Sequence, residues 1–413
     1  MRPLSGQPVP NLTPDQLLVE LSGVKDLLIV QDLDGVCMQL VKDPLTRRMD
    51  PSYVHAAAEL EGQFTVLTNG EHEGRRGVNR LVETSLGDPA KARRDGLYLP
   101  GLAAGGVQFQ NRFGELEHPG VSAEEMAFLA ATPQRMEALL LERLPGLLPE
   151  CSSTEIQDLA RTAVLDTQVS PTINLNGLFA RIPTEVPRQR ALQTMLEELM
   201  QQLLDEATAA GLGGSFFLHV APNLGRDASG RERLKPASVG DVGSTDIQFM
   251  LTGSIKEAGL LVLLNQHLER RHGIAPFGQS FNVRNAPHTP EALLQLVKDR
   301  VPSEQMPLLV GVGDTVTSTQ SSDGTQWLRG GSDRGFLTLL QQLGQWCQRP
   351  NRVVLVDSSH GEVDRPSLSD GRLVGISDPE DPLQLDVLMP DGPNQYIAWF
   401  RELAQRRGRA AVS

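Results

Sequence analysis

The chain has 413 residues, a net charge of −13 and three cysteines. That length supports two domains and a sizeable buried core, and the acidic balance argues against nucleic acid or an anionic membrane as partner. No apolar run is long enough to span a bilayer, residues 1–6 lack the apolar core of a signal peptide, and Cys37, Cys151 and Cys347 show no metal-ligand or disulfide spacing, so reduced thiols in a cytoplasmic protein are expected.

The first predicted strand, Leu27-Leu28-Ile29-Val30, runs into Asp32-Leu33-Asp34-Gly35. A buried strand ending this way puts two carboxylates at the sheet edge where open α/β sheets bind ligands. An Asp there can attack phosphorus and carry it as an acyl phosphate, and a second carboxylate two residues on can pass protons. An ordinary strand-to-turn exit has the same composition, so later elements must decide. A helix is predicted over 53–60, then the strand Phe64-Thr65-Val66-Leu67 ending in Thr68-Asn69-Gly70. Thr68 offers a hydroxyl to a phosphate oxygen, and Gly70 lets the backbone come close. Glu71 and His72 follow directly and are candidates for contact with a ligand. A second helix is predicted over 75–86, and the glycine-rich stretch 101–108 reads as a strand or hinge leaving the core.

Roughly 150 residues separate that hinge from Lys256, too many for a loop in a compact domain, so they must fold by themselves. Within them, 187–210 is the clearest helix, with Leu192, Met195, Leu196, Leu199, Met200, Leu203 and Leu204 on one face. A strand over 214–220, a polar hairpin tip over 223–233 and a strand over 247–251 returning the chain to the core complete it. Polar residues here suited to reading hydroxyl groups are His219, Asn223, Arg226 and Asp227, with Asp241, Ser244, Thr245 and Asp246 near the return.

Gly253-Ser254-Ile255-Lys256 then opens a helix whose first-turn lysine can neutralise both a nucleophilic carboxylate and a phosphate. The strand Leu308-Leu309-Val310-Gly311-Val312 delivers Gly313-Asp314. Mg²⁺ takes carboxylates together with substrate phosphate oxygens, and Asp32 and Asp314 would supply the former. A helix over 335–343, a buried strand over 352–357, a turn-rich excursion over 366–382, a short strand over 384–388 and an amphipathic helix over 395–406 close the chain. Asp357 also ends a strand, and a turn role is favoured for it.

The ordered set D-x-D, T-N-G, Lys and G-D resembles the haloacid dehalogenase superfamily of phosphotransferases. The resemblance implies a Rossmann-like parallel-sheet α/β hydrolase core, residues 1–108 and 247–413, with a large inserted α+β (type 2) cap, residues 109–246. It implies Asp32 as nucleophile, Asp34 as general acid/base, and Thr68 and Lys256 as holders of the phosphoryl group. It also implies Mg²⁺ between the carboxylates of Asp32 and Asp314 and the backbone carbonyl of Asp34. An acid at position 34 suits phosphoester hydrolysis rather than dehalogenation.

Several longer segments are similar to the glucosylglycerol-3-phosphate phosphatase family: Val30 to Met38, Leu67 to His72, Tyr98 to Gly106, Ala221 to Asp227, Ile255 to Gly259 and Val312 to Ser318. That similarity implies a sugar-phosphate substrate in compatible-solute synthesis and a candidate contact with the glucosylglycerol-phosphate synthase. It also makes Asn69, Gly70, Glu71, His72 and the hairpin residues candidates for reading the sugar. The rival readings are a phosphatase of trehalose or sucrose phosphate, and a catalytically idle sugar-phosphate sensor. One departure stands out. The superfamily usually follows its fourth-motif Asp with another acid within a few positions, where this chain has Thr315-Val316-Thr317-Ser318. An inserted hairpin over 319–329 would let Asp333 fold back to the metal-bound waters, or Asp333 caps a helix instead.

Overall fold

The computed structural model describes residues 10–321, 323–368 and 372–412. The N-terminal residues expected to lack a signal-peptide core lie outside these, as do Ser322 in the expected hairpin and residues 369–371 in the turn-rich excursion. The chain forms two compact units. One holds the residues up to Gly120, Gly253–Arg329 and everything from Asp333 on; the other holds Val121–Thr252 with Gly330–Ser332. Among the described residues, no helix is long and apolar enough to cross a membrane.

The first unit contributes β1 (Leu27–Gln31), β2 (Phe64–Leu67), β3 (Gly101–Ala103), β4 (Gln108–Gln110) and β5 (Leu116–Glu117). The second contributes β6 (Val164–Leu165), β7 (Thr172–Asn174), β8 (Phe216–Ala221), β9 (Asn223–Arg226), β10 (Glu232–Leu234) and β11 (Asp246–Leu251). The chain closes with β12 (Leu308–Gly313), β13 (Thr317–Gln320), β14 (Trp327–Gly330), β15 (Arg352–Val356) and β16 (Val387–Met389).

The large sheet runs β16-β15-β12-β1-β2-β3-β4-β5. Its first six strands are parallel, and β4 and β5 add antiparallel. β1 and β12 lie side by side near the centre and are buried along their whole length. Helices on both faces of a parallel sheet demand such unbroken apolar runs. The exception is Gln31, whose buried amide donates to the Tyr53 hydroxyl at 2.7 Å and accepts from the Tyr396 hydroxyl at 2.6 Å, so its polarity is satisfied. The β1–β12 register pairs Gln31 with Val312, so Asp32 and Gly313 leave the sheet next to each other.

The second unit has its own antiparallel sheet, β6-β7-β11-β8, with helices Ala123–Leu147, Ser153–Ala163 and Val186–Ala209. Phe216 and Phe249 pack in its core with tilted rings, 4.8 Å between centroids. The expected domain limits therefore move. Residues 109–120 stay with the large sheet because β4 pairs onto β3 and β5 onto β4, and 247–252 stay with the second unit because β11 pairs with β7 and β8. The hairpin expected over 319–329 is present as the pair β13–β14.

Candidate active site

The end of β1 is fixed by its neighbour: the Asp32 amide donates to the Val312 carbonyl at 2.9 Å. One Asp32 carboxylate oxygen accepts from the Leu33 amide at 2.8 Å, and the other accepts from Lys256 Nζ at 2.6 Å. Lys256 is the first residue of the helix Lys256–His272 and is almost fully buried. Its ammonium also donates to Asp333 at 2.6 Å and lies 5.8 Å from the centre of the Phe336 ring. Asp333 sits at the start of the helix Arg334–Cys347, yet its side chain caps nothing there. It folds back instead: its second oxygen accepts from the amides of Asp314 at 2.9 Å and Thr315 at 3.0 Å. A side chain on Gly313 would meet that oxygen at 2.6 Å, which explains a glycine at the end of β12.

Asp32, Asp314 and Asp333 each offer an oxygen within 4.8 Å of the others. Three carboxylates around one ammonium leave excess negative charge. Burial, then repulsion from Asp333, push the Asp32 carboxyl above its usual range against the pull of Lys256. Burial, Asp333 and Asp32 do the same to Asp314. Burial works against the Lys256 charge, but the two aspartates outweigh it and raise its ammonium. Asp314 Oδ2 is buried and has no hydrogen-bond partner among the described residues. A Cβ on Gly35, whose φ is +77°, would lie 2.2 Å from that oxygen, so only glycine keeps this space open. An orphaned carboxylate oxygen in a crowded, electron-rich pocket fits an oxygen-seeking divalent cation.

Thr68, at the end of β2, is buried, and its hydroxyl accepts from the Gly70 amide at 3.3 Å. A Cβ on Gly70 would lie 3.7 Å from that hydroxyl and 3.8 Å from Asp34 Oδ2, so the two motifs face a common point. Asp34 is half-buried and paired with Arg47, a residue that nothing in the sequence pattern singled out. Asn69 and Gly70 are half-buried beside Thr68, while Glu71 and His72 are buried.

His72 corrects an expectation. It is fully buried, its Nε2 is 3.2 Å from the Gly101 carbonyl, and its amide donates to Gln108 at 2.6 Å. It ties β2 to β3 and β4 and presents no surface to a ligand. Burial lowers its imidazole to about 4. The unfolded chain therefore takes up the proton first, so this contribution is present above about pH 6.5 and lost as the pH falls through 4. Between pH 7 and pH 4, wild type is expected to lose on the order of 3 kcal/mol more stability than His72→Gln, whose amide can still donate to Gly101. Denaturant melts across that range check it; parallel curves for the two proteins would contradict it.

Asp357 has the turn role favoured for it: its carboxylate accepts from the amides of Ser359 and Leu368 and from the Ser367 hydroxyl. In the second unit, two expected ligand residues are engaged in hydrogen bonds of the hairpin itself. Asn223 is buried; its amide nitrogen donates to the Val220 carbonyl and to Glu232, and its oxygen accepts from Gly225 and Gly331. Asp227 closes the hairpin turn by accepting from Ser229 and Arg231. His219 is buried 2.9 Å from Glu232, a carboxylate that also accepts from the Val220 amide. Arg226 is exposed and reaches Glu232 only at 3.8 Å. Asp241 pairs with Lys235 at 2.6 Å, and Asp246 accepts from Asn174 and Thr245. The Ser244 hydroxyl bridges Lys235 and Pro222.

A family model described as glucosylglycerol-phosphate phosphatase matches residues 26–404, which spans every element of this site. The chain belongs to the glucosylglycerol-phosphate phosphatase family. The glucosylglycerol-phosphate phosphatase of Synechocystis sp. is 49% identical over 403 residues, covering 94% of each chain. Among solved structures, the trehalose-6-phosphate phosphatase C-terminal domain of C. albicans is similar at 11% identity, with 97% of this chain and 99% of that one covered and a TM-score of 0.48. The C-terminal domain of the Candida albicans trehalose synthase regulatory protein is similar at 10% identity, with 96% and 100% covered and a TM-score of 0.47. Asp333, which follows the β13–β14 hairpin, holds the Lys256 ammonium and the backbone amides of Asp314 and Thr315 together.

Proposed function

We propose that the protein hydrolyses glucosylglycerol 3-phosphate to glucosylglycerol and inorganic phosphate. The observation that carries this reading is the 49% identity to a named glucosylglycerol-phosphate phosphatase across 94% of its length; the carboxylate site supports the chemistry. In the first step an Asp32 oxygen attacks phosphorus, the ester oxygen leaves and Asp34 gives it a proton. In the second, Asp34 takes a proton from water, the water oxygen attacks phosphorus, and the acyl phosphate bond breaks to return Asp32. Thr68 and Lys256 hold the phosphoryl oxygens, and Lys256 offsets charge on Asp32 that burial opposes. Mg²⁺, held by Asp32, Asp314 and the backbone carbonyl of Asp34, would neutralise further charge at the phosphoryl group. An idle sensor is disfavoured, because binding alone needs no carboxylate at Asp34.

The second unit is proposed as the sugar-reading cap, with Arg226, Asp227, Asn69 and Gly70 the candidates that have accessible surface. The same reading puts the protein in the cytoplasm, taking its substrate from the synthase that joins glucose to glycerol phosphate, with that synthase its candidate partner. The mechanism is tested by acid-quenching the enzyme during turnover and mapping the bound phosphoryl group. Label on the peptide carrying Asp32 is expected, and label elsewhere would contradict it.

Asp333 gives a sharper expectation. Asp333→Ala should raise the Mg²⁺ concentration needed for activity by ~10–100-fold, the usual effect of losing a carboxylate that supports a metal site. The Mg²⁺-induced rise in melting temperature should weaken in parallel. A simple helix cap predicts lower stability with the same Mg²⁺ midpoint, and that outcome would contradict the assignment.

A further inference from the structure

The loop after β1 brings an arginine back onto the first motif. Asp43 caps the short turn Pro44–Thr46, accepting from the Leu45 amide at 2.9 Å, and the Thr46 hydroxyl donates to the Asp43 carbonyl at 2.8 Å. Arg47 leaves this turn with each arm of its guanidinium engaged. Nε donates to the Pro44 carbonyl at 3.1 Å, and Nη2 donates to the Arg76 carbonyl in the loop after β2. Nη1 donates to both oxygens of Asp34, at 2.9 and 2.7 Å. The Arg47 side chain is 10% exposed and that of Asp34 31%, so the clamp is drier than the group it holds.

We infer that Arg47 is the positioning residue for Asp34, fixing that carboxylate towards the second motif so that it can exchange protons at the phosphoryl group. The inference rests on the phosphatase reading. Three features favour it over a plain surface ion pair. Two backbone carbonyls anchor the guanidinium, so it stays in place whatever Asp34 does. Among the described residues no other hydrogen-bond donor to the Asp34 carboxylate is seen, and the next residue is Gly35 with a positive φ, so the carboxylate depends on Arg47 for its orientation. One nitrogen shared between two oxygens leaves each oxygen a lone pair for the proton it must carry. Arg47 also joins motif one to the loop of motif two, so its loss would misplace the acid relative to Thr68.

The experiment compares kcat/KM for an alkyl ester, glucosylglycerol 3-phosphate, with that for 4-nitrophenyl phosphate, whose leaving group needs no proton. Arg47→Ala should lose about 10–100-fold on the alkyl ester, as expected when a reacting group is misplaced by about an ångström, and at least ~10-fold less on the aryl ester. Arg47→Lys should recover part of the loss, since an ammonium reaches the carboxylate but not both carbonyls. The double variant Arg47→Ala/Asp34→Asn should be no slower than Asp34→Asn alone, because one acts through the other. Equal losses on both esters, losses that multiply in the double variant, or an alkyl-ester rate that does not change would overturn the inference. Arg47→Gln carries the same comparison if the alanine variant does not fold. Wild-type activity in Asp34→Asn would instead overturn the phosphatase mechanism. A slow Asp34→Asn beside a fast Arg47→Ala overturns only the clamp.

Discussion

Asp32→Asn should release phosphate on the order of 10⁴–10⁶-fold more slowly than wild type, the scale seen when a covalent nucleophile is removed. The substitution is nearly isosteric, and the buried oxygen that accepts from the Leu33 amide can remain in place. The Lys256 contact weakens, but Asp333 still holds the ammonium. The fold should therefore persist and the sugar phosphate should still bind. Phosphate release, isothermal binding and a thermal melt on the same preparation separate chemistry from folding. Turnover within about tenfold of wild type would remove the aspartyl-phosphate route, and a collapsed melt would make the loss uninformative about chemistry.

Lys256→Met should have the largest effect on stability. Lys256 is 3% exposed and donates at 2.6 Å to both Asp32 and Asp333. Methionine keeps the stem but removes the charge, leaving carboxylates within 4.8 Å of one another with no cation between them. Breaking a buried ion pair from one side costs about 3–5 kcal/mol, because the remaining charge is uncompensated. Adding Asp333→Asn to Lys256→Met should recover part of that loss, since one of the stranded charges disappears; the two substitutions share a contact and should not add. Chemical denaturation of the wild type, both single variants and the double variant measures the coupling. A Lys256→Met protein as stable as wild type would show that the ammonium is not what holds the carboxylates together. Phosphate release should be lost in Lys256→Met and in the double variant, whereas Asp333→Asn should retain it at raised Mg²⁺.

The parts of this site that could be read from the sequence lie at the ends of buried strands. Leu27 to Val30 and Leu308 to Val312 are apolar without alternation because both faces of a parallel sheet are covered, so their limits and the acids that follow are visible locally. Asp333 was legible for a similar reason: an acid before an apolar helix, after a hairpin of turn residues. What stayed hidden depends on long-range partners. A strand such as β11 looks the same whichever sheet it joins, so the domain limit at 246 moved to 252 once β7 and β8 were seen to flank it. The helix Ala123–Leu147 contains Pro133 and Pro145, residue types that disfavour a helix interior, so local sequence does not announce it. Arg47 lies in a polar loop and gains its meaning only from Asp34 and the Arg76 carbonyl. Glu232 is in the same position, a charged residue in a polar hairpin that turns out to be buried against His219 and Asn223. His72 and Asn223 misled in the opposite direction: polar residues beside motifs suggest ligands, but here backbone and buried side-chain groups engage them.

Phosphoryl transfer at Asp32 and glucosylglycerol 3-phosphate as substrate are tested together. The most direct measurement is phosphate release by the purified protein with Mg²⁺, given glucosylglycerol 3-phosphate, trehalose 6-phosphate, sucrose 6-phosphate and glycerol 3-phosphate in parallel. A site whose polar groups match one set of hydroxyls discriminates strongly against sugars that leave them unpaired. The highest kcat/KM is expected for glucosylglycerol 3-phosphate, abolished by a chelator and by Asp32→Asn. A higher kcat/KM for trehalose or sucrose phosphate, or no release from any of the four, would contradict it.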